Sequence, residues 1–90
     1  MNNYTHIGFT KSLTKNKKYD AILKNKQTGQ IKKIPFGDTR YQQYRDSTGL
    51  NLYTHLNHLD EKRKKNYYLR HGKQADKFSA DYFSKRFLWT

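Results

Sequence analysis

His55 and His58 lie three residues apart, Asp60 follows closely, and His71 stands further along. On a helix, side chains at i and i+3 are neighbours and could share a metal ion. The chain has no cysteine, which excludes thiolate zinc sites and a disulfide framework. No third ligand sits at a familiar metal-site interval. Capping or hydrogen bonding at helix ends is the simpler role for His58 and His71. A nuclease asks for clustered carboxylates or a committed histidine. Here Asp60-Glu61 is one adjacent pair whose members point to different helical faces, and Asp76 and Asp81 flank a helix start. No Gly-rich phosphate loop, Gly-x-Ser-x-Gly or His-Glu-x-x-His pattern occurs. The expectation is a non-enzymatic protein with no metal site and no cofactor.

Lysine carries the chemistry that remains. The 90-residue chain holds nineteen Lys and Arg against seven Asp and Glu, a net charge of +12. All eight basic residues from Lys11 to Lys33 are lysine, with Asp20 the single acid among them, while all five arginines fall later, among the other acids. Lysine is a hydrated, flexible point charge suited to phosphate contact. Arginine is a planar fork suited to fixed ion pairs and stacking. The division predicts a nucleic-acid-facing set of Lys11, Lys15, Lys17, Lys18, Lys24, Lys26, Lys32 and Lys33. To it the sequence adds Lys62, Lys64 and Lys65 from the Lys62-Arg63-Lys64-Lys65 cluster. A field of this size draws polyanions. Nucleic acid is the first candidate, an anionic membrane surface the second and an acidic protein the third. No apolar run approaches a membrane span or a signal-peptide core, so the expected protein has no transmembrane segment and is not secreted.

These groups need a scaffold. Aliphatic residues are few, but eight Tyr, five Phe and one Trp can each bury about 150–250 Å². The predicted core is therefore aromatic. Residues 18–24 alternate, with Tyr19, Ala21 and Leu23 on one face, and residues 30–36 read as a second strand whose Pro35 suits an edge. Together they predict a β-hairpin. Residues 1–17 form either a basic arm or an added third strand through Tyr4, Ile7 and Phe9, and residues 18–90 form a single α+β domain. Asp38 could cap a short helix through residues 39–46. A further helical turn or two follows at residues 50–56. Asn57 could cap a helix over 58–71 that ends at Gly72, and Ser79 could cap a last helix over 80–88. The fold class is thus α+β, a hairpin or three-stranded antiparallel sheet followed by three or four short helices.

Asp60, Arg63, Tyr67, Arg70 and His71 trace one side of the 58–71 helix, a stripe too polar for a simple core. It is expected to pack against the last helix, with Arg63 or Arg70 over an aromatic face such as Trp89. Phe83 and Phe87, four apart, supply that helix's apolar side.

The same residues carry a resemblance. Lys18-Tyr19-Asp20-Ala21, Ile31-Lys32-Lys33-Ile34-Pro35-Phe36-Gly37, Tyr44, His58-x-Asp60-x-x-Arg63, Tyr67, Arg70-His71 and Tyr82-Phe83-Ser84-x-x-Phe87-Leu88-Trp89 resemble a small basic family of uncharacterised function from nucleocytoplasmic large DNA viruses of algae and amoebae. Residues 1–17 and the length of the stretch 38–53 fall outside it. The resemblance implies a viral source, a place in the virion or the infected cell, and DNA over RNA as the polymer to bind or condense. Other virion proteins are the alternative partners. It carries over no catalytic residue.

Overall fold

The structure, a computed structural model, describes residues 3–90. Three strands come first: β1 (Tyr4–Lys11), β2 (Lys17–Asn25) and β3 (Ile31–Asp38). They form one antiparallel sheet in the order β1-β2-β3. The segment 1–17 therefore supplies the added strand, with residues 1 and 2 outside the described part. Alternation in β2 places Tyr19, Ala21 and Leu23 on the inner face, each with no exposed surface. Ala21 lies opposite Phe9 on one side and Ile34 on the other.

A register shift between His6 and Gly8 leaves Ile7 as the extra residue, 53% exposed. A bulge of this kind changes which way the following side chains point. It lets His6 and Phe9, three residues apart, both reach the core, with ring centroids 4.7 Å apart.

Asn25 makes the β2–β3 turn, its side-chain oxygen accepting from the backbone N–H groups of Gln27 and Thr28. Pro35 sits within β3, which is an edge strand and tolerates a missing donor. At the far end Gly37 has φ +74°, and a Cβ there would lie 2.9 Å from Leu88 Cδ1. Only glycine meets both demands.

Two helices follow, α1 (Glu61–His71) and α2 (Ala80–Phe87), with one 3₁₀ turn at Thr54–Leu56 before them. The three or four helices expected from sequence are thus two and a turn. Asp60, not Asn57, caps α1, accepting from the N–H groups of Lys62 and Arg63. Ser79 caps α2 by accepting from Tyr82 N–H. Leu59 and Phe78 each precede a cap with positive φ, 53° and 62°. Phe78 is held there by a stack on Phe83 at 5.8 Å and 5°.

α2 packs on the inner face of the sheet. Phe83 is fully buried beside Phe36 and Phe78, and Leu88 closes the same cluster. Phe87 packs at its border, with its ring 4.6 Å from Phe9. The expected aromatic core is present.

Residues 39–53 form no helix. Asp38 instead ion-pairs with Arg40 and accepts from its backbone N–H. Gln43 is fully buried and forms a parallel bridge with Asn57. Arg45 and Ser47 donate backbone N–H groups to the carbonyls of Leu88 and Phe87. A helix here would use those donors internally, so the tertiary partners win.

Candidate nucleic-acid interface

The inner face of the sheet is occupied by α2, and the strand pairing sets out the other face. There Thr5 and Thr10 flank Asp20, Ile22 and Lys24 of β2, with Ile31, Lys33 and Pro35 on β3. Thr5, Lys24, Ile31 and Lys33 are exposed. Lys24 pairs with Ile31, which makes Lys33 its diagonal neighbour across two strands. Lys26 extends the exposed set beyond one end of the sheet and Lys15 beyond the other, whereas half-buried Lys17 opens β2 opposite Asp38, on the register side of Tyr19 and Ala21. Lys11 and Lys32 stand exposed on the two edge strands, and the Lys32 ammonium lies 5.8 Å over the Tyr4 ring.

Lys18 does not belong to this set. Sequence reasoning counted it among the phosphate-facing lysines, yet it is 2% exposed. Its ammonium donates to the Tyr41 carbonyl at 2.9 Å and to Gln43 Oε1. Burial pushes its pKa down to about 8, partly offset by Asp38 and Asp46 nearby. Gln43 is the hub of this network. Its side-chain nitrogen donates to the Tyr53 carbonyl at 2.8 Å and to Asn57 Oδ1 at 2.6 Å. Asn57 Oδ1 also accepts from Asp46 N–H, which is why Asn57 is unavailable as a helix cap. Beside it Tyr19 donates its hydroxyl to Asp46 and accepts from Leu52 N–H. Burial, then the bond to Asp46, pushes Tyr19 up to about 12. Neither Gln43 nor Asn57 carries a local sequence signal for this role.

On α1, Lys62 and Lys65 are exposed, as expected. Lys64 is half-buried instead, its ammonium 4.5 Å from the Tyr44 ring centroid. The stripe of Asp60, Arg63, Tyr67, Arg70 and His71 does turn toward the C-terminal segment, but its contacts differ from expectation. Tyr67 takes the place expected of an arginine, stacking on Trp89 at 4.2 Å and 3°. Arg63 donates to Gln42 Oε1 at 2.7 Å, and Arg70 is exposed. The rings continue on both sides, His71 at 4.5 Å from Tyr67 and His58 at 5.2 Å from Trp89. His58 Nδ1 accepts from Asp60 N–H, so this histidine orients the α1 cap. Burial, with Arg63 nearby, pushes its pKa down and favours the neutral ring that accepts. Among the described residues no three His, Asp or Glu side chains converge as metal ligands.

The acids explain the net field. Asp38 and Asp81 are ion-paired with Arg40 and Lys85. Asp60 caps α1, Asp46 takes the Tyr19 and Thr48 hydroxyls, and Glu61 takes the Tyr44 hydroxyl. Asp20 is buried beneath the basic face, with one carboxylate oxygen unpartnered. Among the described residues Arg40 and Lys85 are the only Lys or Arg in an ion pair. Five of the seven acids thus serve internal bonds, Asp20 and exposed Asp76 do not, and among the described residues no acid is ion-paired with a lysine of the sheet. No protein-family model, curated protein or solved structure matches this chain, so its function has to be argued from these side chains.

Proposed function

We propose that this chain is a nucleic-acid-binding protein that holds the phosphate backbone of DNA through the lysines of its sheet, without reading sequence. The observation that carries the reading is the outer face with its two ends, where Lys15, Lys24, Lys26 and Lys33 present charges that no acid pairs among the described residues. Neutralising phosphates releases condensed counterions, and that release drives association. β2 spans nine residues, about 30 Å at ~3.3 Å per residue, the length of roughly nine phosphate steps along one strand of duplex. Among the described residues no arginine lies in a strand, so the sheet lacks the fork that reads guanine edges. With the viral resemblance, the polymer of this proposal is the genome of a large DNA virus, bound or condensed in the virion or the infected cell.

The test is fluorescence anisotropy with labelled duplex DNA, single-stranded DNA and RNA over about 50–300 mM salt. The expected result is sub-micromolar binding whose log K falls linearly with log salt, at about 0.9 per phosphate contacted on duplex. Binding to all three no tighter than that of a scrambled Lys-rich peptide would refute the proposal. It would favour an acidic virion protein as the partner.

A further inference from the structure

A cleft of about 520 Å³ lies between α1, the start of α2 and the Lys17–Lys18 end of the sheet. This size suits a small ligand. Its wall includes Lys17, Lys18, Arg63 and Arg70, together with the Tyr67–Trp89 stack. Two acids share the wall, Asp38 and Asp81. Each is already paired with a cation that does not line the cleft, Arg40 and Lys85 respectively. Four cations thus line the cleft against two acids, and the acid acting on both Lys17 and Lys18 is Asp38, which is shared with Arg40. Like charges gathered this way raise the energy of the empty site and favour an anion.

Two buried ammonium groups sharpen the point. Lys85 is 5% exposed and donates to the His71 carbonyl, the Gln74 carbonyl and Asp81, which uses all three of its N–H groups. Lys18 is 2% exposed and has two partners, Tyr41 O and Gln43 Oε1. Two partners leave one of its three N–H groups without an acceptor among the described residues, and Lys18 is one of the lining residues. Desolvation also holds its pKa down to about 8, a penalty that an incoming anion would relieve. A larger concavity of about 780 Å³ beside Lys73 and Arg86 offers less, because Lys85, its buried cation, is the saturated one.

We propose that this cleft binds a phosphate monoester, its oxygens held by Lys17, Lys18, Arg63 and Arg70. The group could come from the 5′ end of a nucleic-acid strand or from a free mononucleotide. The site does not depend on the lysine face holding a polymer.

Trp89 is the only tryptophan and lines the cleft, so its emission reports occupancy. Adenosine 5′-monophosphate and inorganic phosphate should each change that emission saturably, and adenosine should not. Arg70 makes no side-chain hydrogen bond or ion pair among the described residues, so Arg70→Gln leaves the fold's bonds intact. It should weaken the monophosphate at least tenfold with an unchanged Tm; Arg63→Gln should weaken it likewise, although it also gives up the exposed bond to Gln42. Lys24→Gln/Lys33→Gln should leave monophosphate affinity unchanged while weakening duplex binding, so the two sites fail separately. A tenfold preference for 5′-phosphorylated over 5′-hydroxyl oligonucleotides assigns the group to strand ends. Equal affinities, with monophosphate binding retained, assign it to the free nucleotide. Monophosphate and adenosine behaving alike, or Arg70→Gln binding as wild type, would overturn the proposal.

Discussion

Replacing Lys24, Lys26, Lys32 and Lys33 together by Gln removes four exposed charges from the sheet and its turn. None of the four is in an ion pair among the described residues, and Lys26 keeps its backbone bond to Asn3 O. Surface changes of this kind each alter stability by at most about 0.5 kcal/mol, so the variant should melt close to wild type. If each lysine neutralises one phosphate, the plot of log K against log salt becomes shallower by about 3.6 for duplex DNA. At ~0.15 M salt that corresponds to about three decades of affinity, shrinking toward zero near 1 M. The measurement is anisotropy on a labelled duplex across ~50–300 mM salt, with circular dichroism melting as the folding control. An unchanged slope in a folded variant would refute the assignment of these lysines to phosphate.

Three further outcomes follow from the interior. Gln43→Leu strands the Tyr53 carbonyl and halves the partners of Lys18; at about 1–3 kcal/mol per buried unpaired group, urea unfolding should show a loss of about 2–4 kcal/mol, and a loss under 1 would count against the hub. Stability should also depend on pH in two opposed windows. Between about 8 and 10.5 the unfolded chain keeps a proton on Lys18 that the folded chain has released, so stability rises with pH. Between 10 and about 12 the folded chain keeps the Tyr19 proton that the unfolded chain has lost, so stability falls. Urea midpoints of wild type against Lys18→Met and Tyr19→Phe isolate the two effects, and differences flat across pH 7–11 would contradict both. Gly37→Ala meets Leu88 Cδ1 at 2.9 Å and an unfavourable φ; it should cost at least about 1 kcal/mol in urea, and a neutral result would show that the chain yields there easily.

The β2–β3 hairpin was legible because two independent local signals agree, the alternation of Tyr19, Ala21 and Leu23 and the Asn25–Gly29 turn. The ends of α2 were legible for the same reason, since Ser79 both breaks the preceding pattern and caps. The start of α1 was not. Asn57 and Asp60 are equally good caps by type, and the choice is made by Gln43 and Asp46, which claim the Asn57 oxygen from fourteen and eleven residues away. The segment after Asp38 reads locally as a helix, yet its donors reach the carbonyls of Leu56, Phe87 and Leu88. Most of the lysine face was visible as a charge run, because strand position and exposure coincide there. Lys18 was misread because the loop that covers it, Tyr41 to Gln43, is placed by long-range bonds. The cleft was invisible for a related reason. Its cations come from β2 and α1 and meet only after both pack against α2.

That dependence on α2 has a consequence for synthesis. The strands end at Asp38, and the helix that covers their inner face begins at Ala80, about forty residues later. At 5–20 residues per second, a ribosome takes about 2–8 s to deliver it. During that interval the sheet can close its two hairpins, yet Phe9, Tyr19, Leu23 and Phe36 have no cover. The nascent chain then presents a bare aromatic surface on one side and a lysine surface on the other, beside ribosomal RNA. Electrostatic capture of the basic side would hold the sticky side near a polyanion and away from other nascent chains, so the charge proposed to hold nucleic acid would also shield the chain while it is being made.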